Sequence, residues 1–169
     1  HLSGVVKVNF DPLLQNISCD VERWATLNLS MAGKVNVLKM NCVPKLNYII
    51  QSLPLEIPHY YFKRFDRISK IFLWNGKRPR LSHSKLQRPA DKGGLGLSNM
   101  LFYYNAFNLR HLAHWSLPPE RAPPWYCLEQ AVVAPLSPMQ VLSTKLSIKA
   151  KTHPIHAHLK LIWTRVAQI

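Results

Sequence analysis

Positively charged side chains are concentrated in one stretch of this chain, between residues 63 and 92. The stretch contains ten lysines and arginines and only two acids, Asp66 and Asp91. Like charges at this density repel one another unless water or an anion faces them. Lysine and arginine bind phosphate oxygens without reading sequence, and salt weakens that binding. The stretch therefore predicts a surface for the phosphate backbone of a nucleic acid, and the alternative is a solvated surface without a partner.

A helix has to position the first of these cations. Phe65, Ile68 and Phe72 are three and four residues apart, so they share one helical face. Asn75 and Gly76 tolerate the left-handed conformation that ends a helix. The basic side chains then lie on another face of this helix or in the segment after it. From this region we predict the following nucleic-acid-binding residues: Lys63, Arg64, Arg67, Lys70, Lys77, Arg78, Arg80, Lys85 and Arg88.

Trp74 lies at the end of the apolar stripe, directly before the turn. An exposed tryptophan can stack on an unpaired base, as aromatic side chains do in proteins that bind single strands. A tryptophan that ends an apolar helical stripe is more often part of the core. We therefore predict that Trp74 is a core residue, with base stacking as the alternative.

The composition of the whole chain supports a polyanionic partner. Its 169 residues carry 22 lysines and arginines against 8 acids, which gives a net charge of +14. Nucleic acid is the leading candidate, and an anionic membrane surface is the competitor. No apolar run approaches the roughly 20 residues that span a bilayer. The scattered Cys19, Cys42 and Cys127 form no disulfide framework, which predicts an intracellular protein of the nucleus or the cytoplasm.

Metal and nucleophile chemistry receive little support from the sequence. His111 and His114 share a helical face, and three further histidines cluster near the end of the chain. Structural zinc needs four ligands, and only one cysteine lies between the two groups. No serine or cysteine has a recognisable base near it in the sequence. We predict neither a metal site nor a hydrolase.

Three ordered runs resemble LINE-type reverse transcriptases, which non-LTR retrotransposons encode in their second open reading frame. The runs are IFLWNGKRPR at 71–80, GGLGL at 93–97 and YYNA at 103–106. In that family they follow the polymerase active site, in the thumb and the start of a further helical region. The upstream residues Trp24 and Pro44 also match the family's thumb.

The resemblance adds one residue to the predicted nucleic-acid-binding set. Lys34 stands where the family usually has arginine, and Asn28 stands where it usually has proline. The resemblance therefore implies a phosphate contact for Lys34. Lysine keeps the charge but lacks the planar fork with which arginine grips a phosphate, so this contact should be weaker.

The resemblance implies a role without catalysis. Polymerases of this family hold two magnesium ions on paired aspartates. No two acids are adjacent here, and Asp20 and Glu22 would point apart on a helix. We therefore expect no catalytic residue and no cofactor, because the magnesium would belong to an upstream polymerase domain. The chain, which begins at His1, is predicted to be a fragment that grips RNA, DNA or an RNA–DNA hybrid beside that domain, with no membrane partner.

The predicted fold class is mainly α, a helical thumb-like bundle with a small β-hairpin and a proline-separated helical segment. Residues 1–10 are predicted as a short strand, and 81–88 with 94–97 as the hairpin. Asp11 and Pro12 are predicted to start a helix, Ser30 to cap the next helix, and Pro44 to kink or split that one. Four prolines in 118–124 exclude a regular helix there. The predicted regions are a thumb-like region, a proline-rich linker and an incomplete helical region, at residues 1–117, 118–124 and 125–169.

A second class of function fits the same sequence. The chain could be a stranded, host-encoded fragment that serves as a protein-interaction or structural module without binding nucleic acid. A basic protein that binds the membrane surface is a third possibility. A partner bound independently of salt through residues 125–133 would favour the second class.

Overall fold

The computed structural model describes residues 2–52, 55–143 and 154–166. Across these ranges the chain is helical and contains no β-strand, so the prediction of a mainly α fold is confirmed in that form. The chain packs into two compact units. Unit 1 comprises His1–Ser52 and Ile57–Leu101, and unit 2 comprises Leu53–Glu56 and Phe102–Ile169.

The helices of the described residues follow one another with short connections. Those of unit 1 are α1 (Leu2–Ala25), α2 (Met31–Val37), α3 (Val43–Ser52), α4 (His59–Trp74) and α5 (His83–Gln87). Helix α6 (Met100–Trp115) begins at the end of unit 1, and unit 2 adds α7 (Tyr126–Val133), α8 (Pro138–Ser143) and α9 (Pro154–Val166). Short 3-10 turns occur at Ala90–Lys92 and Pro119–Arg121.

Helix α1 corrects the strand predicted over residues 1–10. Val6 and Phe10 are buried four residues apart, whereas Val8 between them is 73% exposed. The buried series continues through Leu14, at the spacing of one helical face. Val6 and Phe10 thus begin the buried face of a helix, and Val8 is on its exposed face. Over so few residues, the apolar spacing does not distinguish a helix from a strand. Pro12 lies inside this helix rather than at its start.

Helices α2 and α3 form the interrupted helix that the sequence predicts. The Ser30 hydroxyl caps α2 by accepting a hydrogen bond from the Gly33 amide at 3.1 Å. A π-helical turn over Leu38–Cys42 separates the two helices directly before Pro44. Proline has no N–H to donate to the carbonyl four residues earlier, so the ladder is broken at this point.

The second segment of the predicted hairpin does lie beside the first, but the first is helical. The Leu95 and Leu97 amides donate to the Leu86 carbonyl at 3.1 and 3.0 Å. Ser82 caps α5 through the Lys85 amide, and this cap favours a helical turn over a strand. Gly94 approaches the Arg88 carbonyl so closely that a Cβ would lie 1.9 Å from its oxygen. The hairpin prediction is therefore wrong in secondary structure and correct in the neighbourhood of its two segments.

Unit 2 has a hydrophobic core to which both sides of the proline segment contribute. Leu112 and Trp115 of α6 pack with Leu142 of α8 and Leu159 of α9. By packing, the chain divides after Leu101, within α6. The regions predicted at residues 1–117, 118–124 and 125–169 stay a prediction about a longer parent protein.

Candidate nucleic-acid interface

Helix α4 separates apolar and basic side chains as its spacing predicts. Phe65 and Phe72 are buried at 3% and 1% exposure, and Ile68 is half-buried. Lys63, Arg67 and Lys70 are exposed. The helix packs against α1 and α2, which fixes the basic face toward solvent. Burial of the apolar face therefore presents the three cations on one side of unit 1.

A second group of cations follows the end of α4 along the chain. Asn75 adopts the left-handed conformation with φ 49° and ψ 44°, and Gly76 follows with φ 72°, so the helix ends where the sequence predicts. The exposed segment that follows carries Lys77, Arg78 and Arg80. Together with Trp74 and Pro79, these side chains line an open pocket of about 480 Å³.

Helix α5 contributes the last cations of the region. His83 lies with its Nε2 atom 3.2 Å from Oδ1 of Asp66 on α4, which connects the two helices. Lys85 and Arg88 are exposed. The Arg88 carbonyl accepts a hydrogen bond from the Gly96 amide at 2.8 Å, so the glycine run supports the backbone at this cation.

We call the exposed cations of α4, of α5, of the segment between them and of the residue directly after α5 the basic band. Its members are Lys63, Arg67, Lys70, Lys77, Arg78, Arg80, Lys85 and Arg88. Across the described ranges, no carboxylate forms an ion pair with any of them. Exposed cations without an acidic partner raise the local positive potential, and they keep their donors available to an anion.

The carboxylates of unit 1 that form ion pairs do so outside the basic band. Asp20 pairs with Arg23 at 2.8 Å and with Lys45 at 2.9 Å. The Lys45 ammonium, through its hydrogen bond, holds the pKa of the Asp20 carboxyl below its usual value. Arg64, a predicted binding residue, is half-buried and has its guanidinium 3.3 Å from Asp11. Arg64 is therefore less available to a phosphate than its neighbours on α4.

Lys34 does not present its charge to solvent. It is 4% exposed, and its ammonium donates to the Phe72 carbonyl at 2.9 Å and to the Asn75 side-chain oxygen. It also lies 5.2 Å from the centre of the Phe72 ring. Burial lowers the pKa of the Lys34 ammonium. A cation at the carboxyl end of a helix is stabilising, so Lys34 stabilises the end of α4. The phosphate contact that the resemblance implies for Lys34 stays a prediction.

One cation near the region escaped the sequence prediction. Lys39 is exposed, and its ammonium lies 3.7 Å from the position that a Cβ on Gly96 would occupy. No local pattern signals this residue, because 57 positions separate it from the glycine. Lys39 and Gly96 come close together only through the folding of the π-helical turn and of the glycine run.

Trp74 is neither fully buried nor free. The residue is half-buried and lines the pocket with the cations. Its Nε1 atom is buried, and within the described ranges no group accepts a hydrogen bond from it. The prediction of a core residue is therefore only partly correct.

Two histidines of unit 2, His111 and His158, hydrogen-bond to neighbouring side chains. In the part of the chain that the structure describes, no group of histidine, cysteine and acidic side chains could hold a metal ion. His111 and Trp115 both hydrogen-bond to the Glu129 carboxylate. Burial raises the pKa of Glu129, but these hydrogen bonds outweigh it and bring the pKa below its usual value.

Comparison with known proteins gives one partial similarity. The chain is 26% identical over 102 residues to an Arabidopsis thaliana protein named "Putative ribonuclease H protein". The match covers 54% of this chain but only 15% of that relative. No family model matches the chain. None of the described helices is long and apolar enough to cross a membrane.

Proposed function

We propose that this chain is a non-catalytic part of a LINE-type reverse transcriptase, and that it grips the backbone of an RNA–DNA template–primer. One observation carries the proposal: the basic band places eight exposed cations on unit 1 without a carboxylate partner in the described ranges. The partial similarity to a plant protein named "Putative ribonuclease H protein" is in keeping with a partner that is a nucleic acid.

The mechanism is electrostatic and independent of sequence. Each phosphate that a lysine or arginine neutralises releases condensed counterions, and this release favours binding. Some cations of the basic band lie on helices and others in the segment after α4. Cations spread along the chain in this way can contact successive phosphates of one nucleic-acid strand. Arg67, Arg78 and Arg80 can each donate two parallel hydrogen bonds to one phosphate. Such contacts hold a duplex in place and allow it to slide.

The test is a titration of a labelled RNA–DNA hybrid at several salt concentrations, followed by fluorescence anisotropy. Each phosphate contact contributes about 0.9 to the slope of log affinity against log salt. If half of the basic band contacts phosphates, we expect a slope of about 4 in magnitude. A hybrid of the same sequence with uncharged methylphosphonate linkages is the matched control. Equal affinity for the two hybrids, or a slope near zero, would overturn the proposal.

A second function, that of a protein-interaction module, is favoured by a separate feature of unit 2. Helix α7 exposes Leu128 and Val132, which are four residues apart and 69% and 58% exposed. An apolar pair on one helical face is suited to a protein partner. Binding through this pair would be insensitive to salt, so the same salt titration discriminates between the two functions.

A further inference from the structure

The pocket at the end of α4 combines features that a phosphate-binding surface does not require. Five consecutive or nearly consecutive residues line it: Trp74, Lys77, Arg78, Pro79 and Arg80. Its volume of about 480 Å³ lies within the roughly 300–1,000 Å³ typical of small-ligand pockets. Phosphate contacts alone need only exposed cations. The aromatic and proline surfaces offer an apolar contact in addition.

Trp74 is placed in a way that core packing alone does not explain. Buried tryptophans usually donate their N–H to an acceptor. The Nε1 atom of Trp74 is buried, and in the described part of the chain it finds none. Since the residue as a whole is half-buried, its exposed surface belongs to its other atoms. Trp74 therefore keeps apolar surface beside three cations at the cost of an unsatisfied donor.

The chemistry of this pocket indicates its ligand. A flat apolar group that carries negative charge close by would satisfy both the aromatic surface and the cations. A nucleotide has this form, with a base that stacks on aromatic rings and a phosphate that binds lysine and arginine. The bases of a duplex are stacked on one another and are not available to Trp74. The pocket is therefore suited to a nucleotide that is not paired.

We propose that this pocket holds one unpaired nucleotide, with its base against Trp74 and its phosphates on Lys77, Arg78 and Arg80. The inference rests on the proposed function, because it assigns a single-stranded segment beside the gripped hybrid to the same basic band. The rest of the basic band then binds the phosphates of the hybrid, and the pocket binds a nucleotide where base pairing ends.

The test compares two single strands of equal length, one with bases and one made entirely of abasic sites. Both carry the same phosphates, so any difference in affinity reports the bases. We expect the chain to bind the strand with bases roughly 5- to 150-fold more tightly. Trp74→Leu should abolish this preference. The matched control Trp163→Leu, at a tryptophan of unit 2 that is 42% exposed, should keep it. Equal affinity of the unaltered chain for both strands would overturn the proposal.

A crosslinking experiment decides the matter if Trp74→Leu fails to fold. A single strand with 5-iodouracil is irradiated with the unaltered chain, and the adduct is located by mass spectrometry. An adduct on the peptide that contains Trp74 supports the proposal. An adduct confined to other aromatic residues, such as the exposed Phe102, contradicts it. The salt slope of the hybrid is measured on the same protein, so a steep slope without base preference rejects the pocket and leaves the grip on the hybrid standing.

Discussion

The basic band of unit 1 and a group of buried polar residues in unit 2 differ in how their side chains are exposed and paired. In unit 1, the eight cations of the basic band are exposed and have no carboxylate partner in the described ranges. In unit 2, several polar side chains are buried and hydrogen-bonded to one another. Tyr104, Asn108 and His158 form one such group, with Nε2 of His158 3.1 Å from the Tyr104 hydroxyl and 3.0 Å from the Asn108 oxygen.

This difference indicates that binding to nucleic acid and stability of the fold depend on different residues. Exposed cations contribute little to folding, and a dense group of them opposes it through repulsion. Buried hydrogen-bonded groups specify one packing arrangement, and they are costly to disrupt. We therefore expect substitutions in the basic band to change affinity for nucleic acid, and substitutions in the buried groups of unit 2 to change stability.

The largest expected effect is the loss of stability in Trp115→Ala. Trp115 is 3% exposed in the core of unit 2 and hydrogen-bonds to Glu129. Its removal leaves a cavity and a partly buried carboxylate oxygen of Glu129 without its donor, and should cost roughly 3–5 kcal/mol in the free energy of unfolding. Denaturation in urea measures this cost. Trp163→Ala, at an exposed position, should cost far less, and similar costs for the two variants would show that the core of unit 2 is misplaced.

The next effect is a loss of stability in acid that depends on His158. Burial lowers the pKa of the His158 imidazole from 6.5 to about 4, with nearby Glu56 raising it and Arg165 lowering it. Its buried Nδ1 atom has no hydrogen-bond partner in the described ranges, so there is no acceptor for a second proton.

The neutral form of His158 is required by the fold, and this fixes the sign of the pH dependence. The unfolded chain takes up a proton at the higher pKa, so the stabilisation is complete above about pH 6.5 and is lost as the pH falls toward 4. The loss should be roughly 3 kcal/mol. Urea denaturation at a series of pH values measures it, and His158→Gln should flatten the profile. An equally steep profile in that variant would assign the dependence to other groups.

A smaller effect distinguishes two lysines of unit 1. Lys34→Ala removes the donor to the Phe72 carbonyl and Asn75, and should cost about 1–3 kcal/mol in stability while leaving the salt slope for the hybrid unchanged. Lys77→Ala should do the reverse, with a slope about 0.9 smaller and a change in stability within about 0.5 kcal/mol. A smaller slope in Lys34→Ala would return that residue to the binding surface.

Local patterns predict much of unit 1. The cap at Ser30, the break before Pro44 and the end of α4 at Asn75 each depend on a few neighbouring residues, and each is present. The basic side chains of α4 are exposed because the same spacing buries Phe65 and Phe72. These features are accessible to sequence reasoning because their causes lie within one helical turn.

Contacts across the chain explain what local patterns miss. The ammonium of Lys34 donates to the carbonyl of Phe72, 38 residues later in the sequence, so its burial depends on a contact between distant residues. Residues 83–87 are helical rather than extended, because a cap at Ser82 competes with strand pairing. The group of Tyr104, Asn108 and His158 is likewise formed by residues about 50 positions apart. No spacing rule reports such pairs.

If the basic band grips phosphates, its cations should respond to substitution differently from cations that are already paired with carboxylates, and two triple variants measure this difference. Lys77→Ala, Arg78→Ala and Arg80→Ala remove three unpaired cations of the basic band. Arg23→Ala, Lys45→Ala and Arg165→Ala remove the same charge from residues that are paired with Asp20 and Glu56. Both variants are titrated with one RNA–DNA hybrid at several salt concentrations. We expect the slope to fall by about 2–3 in the first variant and to hold in the second. Equal slopes for the two variants would show that the basic band does not grip the phosphates of the hybrid.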